Sequence, residues 1–180
     1  MRMLLAAAGA LCLTACANIP FISPSASTAL QPTKGNKAAG SVTFTQQGDK
    51  VRVVANVTGL TPGLHGFHIH EKGDCSAPDA MSAGGHFNPH GKPHGDAHAA
   101  ERHAGDLGNL SADKDGNARA DLAVDGLSLA AGAANSVVGR SVVVHANPDD
   151  LKSQPAGNSG PRVACGVVAS GEAAAQRSKY

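Results

Sequence analysis

The chain reads as an all-β protein, a sandwich or barrel of short strands carrying two long functional loops. Three observations lead there. Apolar residues alternate with polar ones in several short stretches, the period of a half-buried strand. Glycine is abundant, with 22 residues, and tight turns between strands use it freely. Two long polar segments, 72–104 and 147–161, interrupt the strand pattern.

The elements follow in order. Ala26 to Leu30 is a weak first strand. Ser41 to Thr45 is clearer, with Val42 and Phe44 on one face. After the turn Gln47-Gly48-Asp49, Val51, Val53, Ala55 and Val57 alternate with Arg52, Val54, Asn56 and Thr58. Thr61-Pro62-Gly63 breaks the chain before a strand over Leu64 to Glu71. Residues 72–104 are crowded with Gly, Pro, His and Asp, and a loop of that length inside a compact domain is usually functional. Strands resume at Gly105 to Ala112 and Asn117 to Val124, joined by the hairpin turn Asp113-Lys114-Asp115-Gly116. The acids there faintly suggest a calcium loop, but its closing glutamate is missing and a turn is the better reading. Arg140 to Ala146 and Arg162 to Ala169 flank the second loop. The tail from Ser170 is small and polar.

Residues 1–15 read as a lipoprotein signal peptide, 16–24 as a tether and 25–180 as the folded domain. Arg2 is the positive start, and Met3 to Leu13 is apolar but too short to span a membrane. Leu13-Thr14-Ala15-Cys16 then resembles a bacterial lipobox, with Cys16 as the lipidation site. The alternative is an ordinary cut at Ala15-Cys16-Ala17. Either way the protein is exported, and the lipobox places it in the periplasm or cell envelope on a lipid anchor. Of the four cysteines, Cys12 falls in the signal and Cys16 at the lipid site. Cys75 and Cys165 remain, and in an oxidising compartment an isolated pair reads as one disulfide, the alternative being two buried thiols. The formal net charge of +1 argues against a nucleic-acid partner. Any attraction for an anion must therefore be local.

The chemistry concentrates in His68, His70, His86, His94, His103, Asp106 and His145, six of the nine histidines plus one acid. Histidine is the commonest metal ligand among side chains. His68 and His70, two apart on a strand, project from one face and can meet one ion. His145 ends another strand, and His86 follows Gly84-Gly85. Four imidazoles suit Cu(II), and a histidine–carboxylate set suits Zn(II). His90, His94 and His98 are spaced by four, but Pro89, Gly91, Pro93 and Gly95 oppose a helix, so the residues alone leave three loop histidines for zinc. Zinc is also one ligand short unless an imidazole is shared.

Gly66-Phe67-His68-Ile69-His70-Glu71, Gly85-His86-Phe87-Asn88-Pro89, Arg102-His103-Ala104-Gly105-Asp106-Leu107-Gly108-Asn109 and Gly160-Pro161-Arg162-Val163-Ala164-Cys165-Gly166 resemble, in this order, the signature blocks of copper/zinc superoxide dismutase. The similarity covers roughly Ser25 to Ala169. It implies an eight-stranded Greek-key sandwich or barrel. It implies one copper per subunit on His68, His70, His86 and His145, and one zinc on His86, His94, His103 and Asp106, with His86 as bridge. It selects His94 among the three loop histidines. Asp149 matches a carboxylate that links a copper histidine to a zinc histidine, and Arg162 matches an anion-docking arginine. A Cys75–Cys165 disulfide would tie the metal loop to the strand carrying Arg162. The implied reaction converts two superoxide anions and two protons to oxygen and hydrogen peroxide, with Arg162 and His86 as the catalytic side chains. The resemblance admits a homodimer. The rival reading is an exported copper-delivery or metal-buffering protein on the same fold. One departure stands out: loop 147–161 is short, and Lys152 is its only charge beyond Asp150.

Overall fold

The computed structural model describes residues 23–171. The signal peptide, the lipid site Cys16 and most of the tether lie outside the described residues, as does the tail from 172.

Among the described residues, nine strands form one sheet: β1 Ser25–Pro32, β2 Ala39–Gln47, β3 Lys50–Thr58, β4 Gly63–His70, β5 Asp106–Ala112, β6 Ala118–Val124, β7 Ser141–His145, β8 Arg162–Val167 and β9 Ala169–Ser170. Their order is β2-β3-β6-β5-β4-β7-β8-β1-β9, and β2 also pairs with β1, so the sheet closes into a barrel. β9 is not an independent ninth stave. Gln31 faces Cys165 and Ala26 faces Ser170, five residues along in each direction, so β8 and β9 hold one register against β1. The barrel therefore has eight staves, as expected. The neighbour order β3-β6-β5-β4 and the order β6-β5-β4-β7 are both Greek keys.

The interior follows from the alternation. Val51, Val53, Ala55 and Val57 are buried while Arg52, Asn56 and Thr58 are exposed. Val42 and Phe44 face them from β2 in the same core. The hairpin turn stands as predicted, with Asp113 Oδ1 accepting the backbone N–H groups of Asp115 and Asn117 at 2.9 Å each.

On β4 and β7 both faces are covered. Phe67 and Ile69 join the barrel core, which sends His68 and His70 to the outside of the barrel. Val142 and Val144 likewise point in, and Val143 and His145 point out. Segment 72–104 closes over that outer face. It contains one short 3₁₀ turn, Met81–Ala83, missing from the sequence reading. Ala80, Ala83, Val143 and Cys165 form a second small apolar cluster, with Cys75 packed against it. The Cys75–Cys165 disulfide is present across this cluster, with Cα atoms 5.8 Å apart. Apolar contact and covalent bond thus fasten the loop to β8 at one place.

Candidate metal centre

Among the described residues, two groups of buried side chains offer ligand atoms within 4.8 Å of one another. One is His68, His70, His86 and His145; the other is His86, His94, His103 and Asp106. His86 belongs to both. All seven residues named from the sequence are brought together, in the two sets the resemblance implied.

The ring atoms divide cleanly between metal side and protein side. His70 Nδ1 faces the Gly84 carbonyl at 2.9 Å, and His145 Nδ1 faces the Gly160 carbonyl at 3.0 Å. Their Nε2 atoms then meet at 3.4 Å. His68 Nε2 sits 2.8 Å from Asp149 Oδ2, leaving Nδ1 for the shared space. His86 turns Nδ1 to Asp106 Oδ1 at 2.9 Å and Nε2 the other way. His94 Nδ1 lies 3.0 Å from the same oxygen, and His103 Nδ1 lies 3.3 Å from it.

Two of these nitrogens decide the matter. His68 Nδ1 and His86 Nε2 are buried and make no hydrogen bond among the described residues. Leaving a buried polar atom unsatisfied costs about 1–3 kcal/mol, so two in one place mark a site built for a ligand. Lone pairs converging without partners are what cations need. The geometry fits one ion on each side of the His86 ring.

A model of the family described as copper/zinc superoxide dismutase (SODC) matches residues 38–168. The chain belongs to the copper/zinc superoxide dismutase family. The copper-zinc superoxide dismutase of Onchocerca volvulus is 46% identical over 151 residues, spanning 78% of this chain and 94% of that protein. The crystal structure of the clock protein EA4 is similar at a TM-score of 0.74 and 42% identity, covering 82% of this chain and 95% of that one.

Without metal, the two sides of the site differ electrically. Burial pushes His86 down to about 4 and His145 down to about 3, and it lowers His68 and His70 as well. These imidazoles are neutral at pH 7, the form that binds metal. His94 goes the other way. Burial opposes its charge, but Asp106 and Asp149 outweigh burial and raise it to about 9. Burial would also raise both acids, yet their histidine partners hold Asp106 and Asp149 well below the usual carboxylate range.

Asp149 spans the two ligand sets. Its Oδ2 meets His68 and its Oδ1 meets His94 Nε2 at 2.9 Å. Asn109 clamps the Asp149 backbone through both its amide atoms, at 2.7 and 2.9 Å. Gly157, at φ 63°, passes so close that a Cβ there would overlap Asp149 Oδ1. Arg162 is half-buried and donates to the carbonyls of Ala80 at 2.7 Å and Gly84 at 2.6 Å. It makes no salt bridge among the described residues. His65, left aside in the sequence, has its ring nitrogens 2.8 Å from the carbonyls of His145 and Thr61, a structural role. His90 and His98 are exposed, and only His94 of that trio is buried.

Sequence reasoning missed the backbone carbonyls of Ala80, Gly84 and Gly160, along with Gly157 and Gln154. Gln154 grips the His94 backbone on both sides, at 2.8 and 2.9 Å. Carbonyl positions carry no side-chain signal. The repeated glycines of loop 147–161 were the one available hint.

Proposed function

We propose that this chain disproportionates superoxide to oxygen and hydrogen peroxide, with copper held by His68, His70, His86 and His145 and zinc held by His86, His94, His103 and Asp106. The observation that carries the assignment is His86 itself: one ring nitrogen faces an acid in one ligand set, and the other is buried and unpartnered in the other set. Four nitrogens suit copper, and three imidazoles with a carboxylate suit a closed zinc site. When bound, copper supplies the one-electron exchange with superoxide, and zinc supplies a fixed positive charge.

The protein's own groups do the rest. Arg162 holds a fixed guanidinium on the wall of a cavity that His70, His86 and His145 also line. Charge-assisted N–H donors there dock a small anion next to the histidines. His86 Nε2 has no protein partner among the described residues, so it is the ring atom at which a proton would be held and passed on to peroxide. Asp149 fixes the tautomers of His68 and His94 together, so both rings present Nδ1 inward. A copper-delivery role on the same fold is the weaker reading, because the four-nitrogen set is complete and closed.

The protein acts outside the cytoplasm, anchored to the cell envelope by a lipid on Cys16. The apolar run from Met3 to Leu13, the Leu13-Thr14-Ala15-Cys16 sequence and the disulfide support this. Cys16→Ser should move the protein from the detergent fraction to the aqueous one. A homodimer is compatible with the site, and the mass of the loaded protein in solution decides it.

Metal content and superoxide-removal rate, measured together on wild type and His86→Ala, test the central assignment. The expected result is loss of rate with copper retained. An unchanged rate in His86→Ala would remove the bridge from the mechanism.

A further inference from the structure

The zinc-side loop carries three histidines, His90, His94 and His98, spaced by four and separated by Gly91, Pro93 and Gly95. Of the three, only His94 belongs to a ligand set among the described residues. Segment 92–95 makes no backbone–backbone hydrogen bond among the described residues, so neither helix nor strand fixes its register. Side chains do that instead. Asn88 pairs with Lys92 through both its amide atoms, accepting the Lys92 N–H at 3.0 Å and donating to the Lys92 carbonyl at 2.8 Å. Asp106 Oδ2 accepts the Gly95 N–H at 3.0 Å. Gln154 does for His94 what Asn88 does for Lys92. Its Oε1 accepts the His94 N–H at 2.8 Å, and its Nε2 donates to the His94 carbonyl at 2.9 Å.

Asn88 belongs to the same loop as His94, and Asp106 is itself in the ligand set. Gln154 comes from loop 147–161, distant in sequence, and that loop is braced from within. Asp150 Oδ1 accepts the N–H groups of Lys152 and Ser153 at 3.1 and 2.8 Å, and Gly157 donates its N–H to Ser153 O at 2.7 Å. Gln154 is thus presented from a closed turn. The same loop supplies Asp149, whose Oδ1 meets His94 Nε2 at 2.9 Å. Every polar atom of His94 except Nδ1 is therefore held by loop 147–161, and Nδ1 is the atom that faces the zinc-side space. His90 and His98 are exposed, and neither pairs with that loop among the described residues.

We propose that Gln154 is the positioning residue that makes His94, rather than His90 or His98, the zinc-side ligand. Its amide stands in for a strand partner over one residue, satisfying both the donor and the acceptor of the His94 backbone. That pairing locks a register that the loop's glycines would otherwise leave free to slip. Gln154 reaches no ligand atom; it acts through the backbone of the residue that bears one. The inference rests on the zinc assignment above.

The test is zinc release from the full, copper- and zinc-loaded chain to a chromophoric chelator. The proteins compared are wild type, Gln154→Met, the pair His90→Ala with His98→Ala, and all three substitutions together. Methionine keeps the length of the side chain and removes both hydrogen-bonding atoms. Gln154 is exposed, so the fold should survive the change. Gln154→Met should release zinc roughly 10-fold faster than wild type, with copper content unchanged. The histidine pair should change nothing in wild type. It should speed release further in the Gln154→Met background, where a slipped loop brings His90 or His98 to zinc. Loss of packing alone would not produce that non-additivity. Release from Gln154→Met at the wild-type rate overturns the inference. So does a histidine pair that acts alike in both backgrounds, or an equal loss of copper and zinc. Retention of zinc by His94→Ala at wild-type strength overturns the zinc assignment instead.

Discussion

Asp106 Oδ1 lies 2.9 Å from His86 Nδ1, at the junction of the two ligand sets. Its other oxygen accepts the backbone N–H groups of Gly95 at 3.0 Å and His103 at 2.9 Å. One carboxylate thus serves as candidate ligand and as loop anchor. Asp106→Ala should abolish zinc retention and destabilise the metal-free protein by about 2–6 kcal/mol, since two buried donors lose their acceptor at about 1–3 kcal/mol each. Asp106→Asn keeps an acceptor, so it should regain most of the stability and little of the zinc. Denaturant midpoints and zinc content measure the two effects separately. Equal stability in Ala and Asn variants would disprove the anchoring role.

Asp149 ties His68 to His94. Asp149→Asn should weaken retention of both metals, by about 10- to 100-fold in affinity, because an amide cannot accept from both rings. Competition with a chelator reads this for each metal. A drop confined to one metal would show that the link is not shared.

Closing the 90-residue loop between Cys75 and Cys165 contributes up to about 4–5 kcal/mol in the chain-entropy model. Cys75→Ser with Cys165→Ser should lower the unfolding midpoint accordingly. It should also slow superoxide removal, because Ala80 and Gly84, which flank the 3₁₀ turn packed beside the disulfide, supply the carbonyl partners of Arg162. Full rate in the double variant would mean that the Ala80–Ala83 packing alone holds Arg162.

For the metal-free protein, stability should peak near pH 6.5. His86 and His145 have folded values of about 4 and about 3, below the unfolded value near 6.5. The unfolded chain therefore takes up their protons first, and stability falls as pH drops below 6.5. Asp106 and Asp149, held low in the fold, add to the loss below about pH 4. His94 has the opposite sign. Its folded value of about 9 gives stability that is complete below 6.5 and lost as pH rises through 9. Urea titrations at several pH values, with chelator present, check this. A flat profile from pH 6.5 to 9.5 would contradict the placement of His94 between two carboxylates.

Legibility in the sequence tracked how local the cause was. β3 was readable because Val51, Val53, Ala55 and Val57 alternate with polar neighbours. β1 was faint because its buried positions are Ala26, Thr28 and Leu30, two of them small or polar. β4 and β7 lose their alternation in burial, since a loop distant in sequence covers the outer face. His68 and His70 were legible as a pair through strand geometry alone. The choice of His94 over His90 and His98 was not, because it depends on Asp106 and Asp149 meeting it from other segments. The resemblance to the family's signature blocks supplies that choice. The cavity wall was the least legible feature, as Thr33 and Arg162 lie 129 positions apart and are joined by the hydroxyl of one and the carbonyl of the other.

The pairing of β1 with β2 on one side, and with β8 and β9 on the other, has a consequence for self-association. β1 offers a neighbouring copy no bare ladder, so strand addition there would require it to be peeled from both flanks, against the six residue pairs it makes with β2 alone. The weak seam lies between β5 and β6, which share the single residue pair Ala112 and Ala118 beside their turn. Edge-to-edge growth of this protein should therefore begin at β5 and β6.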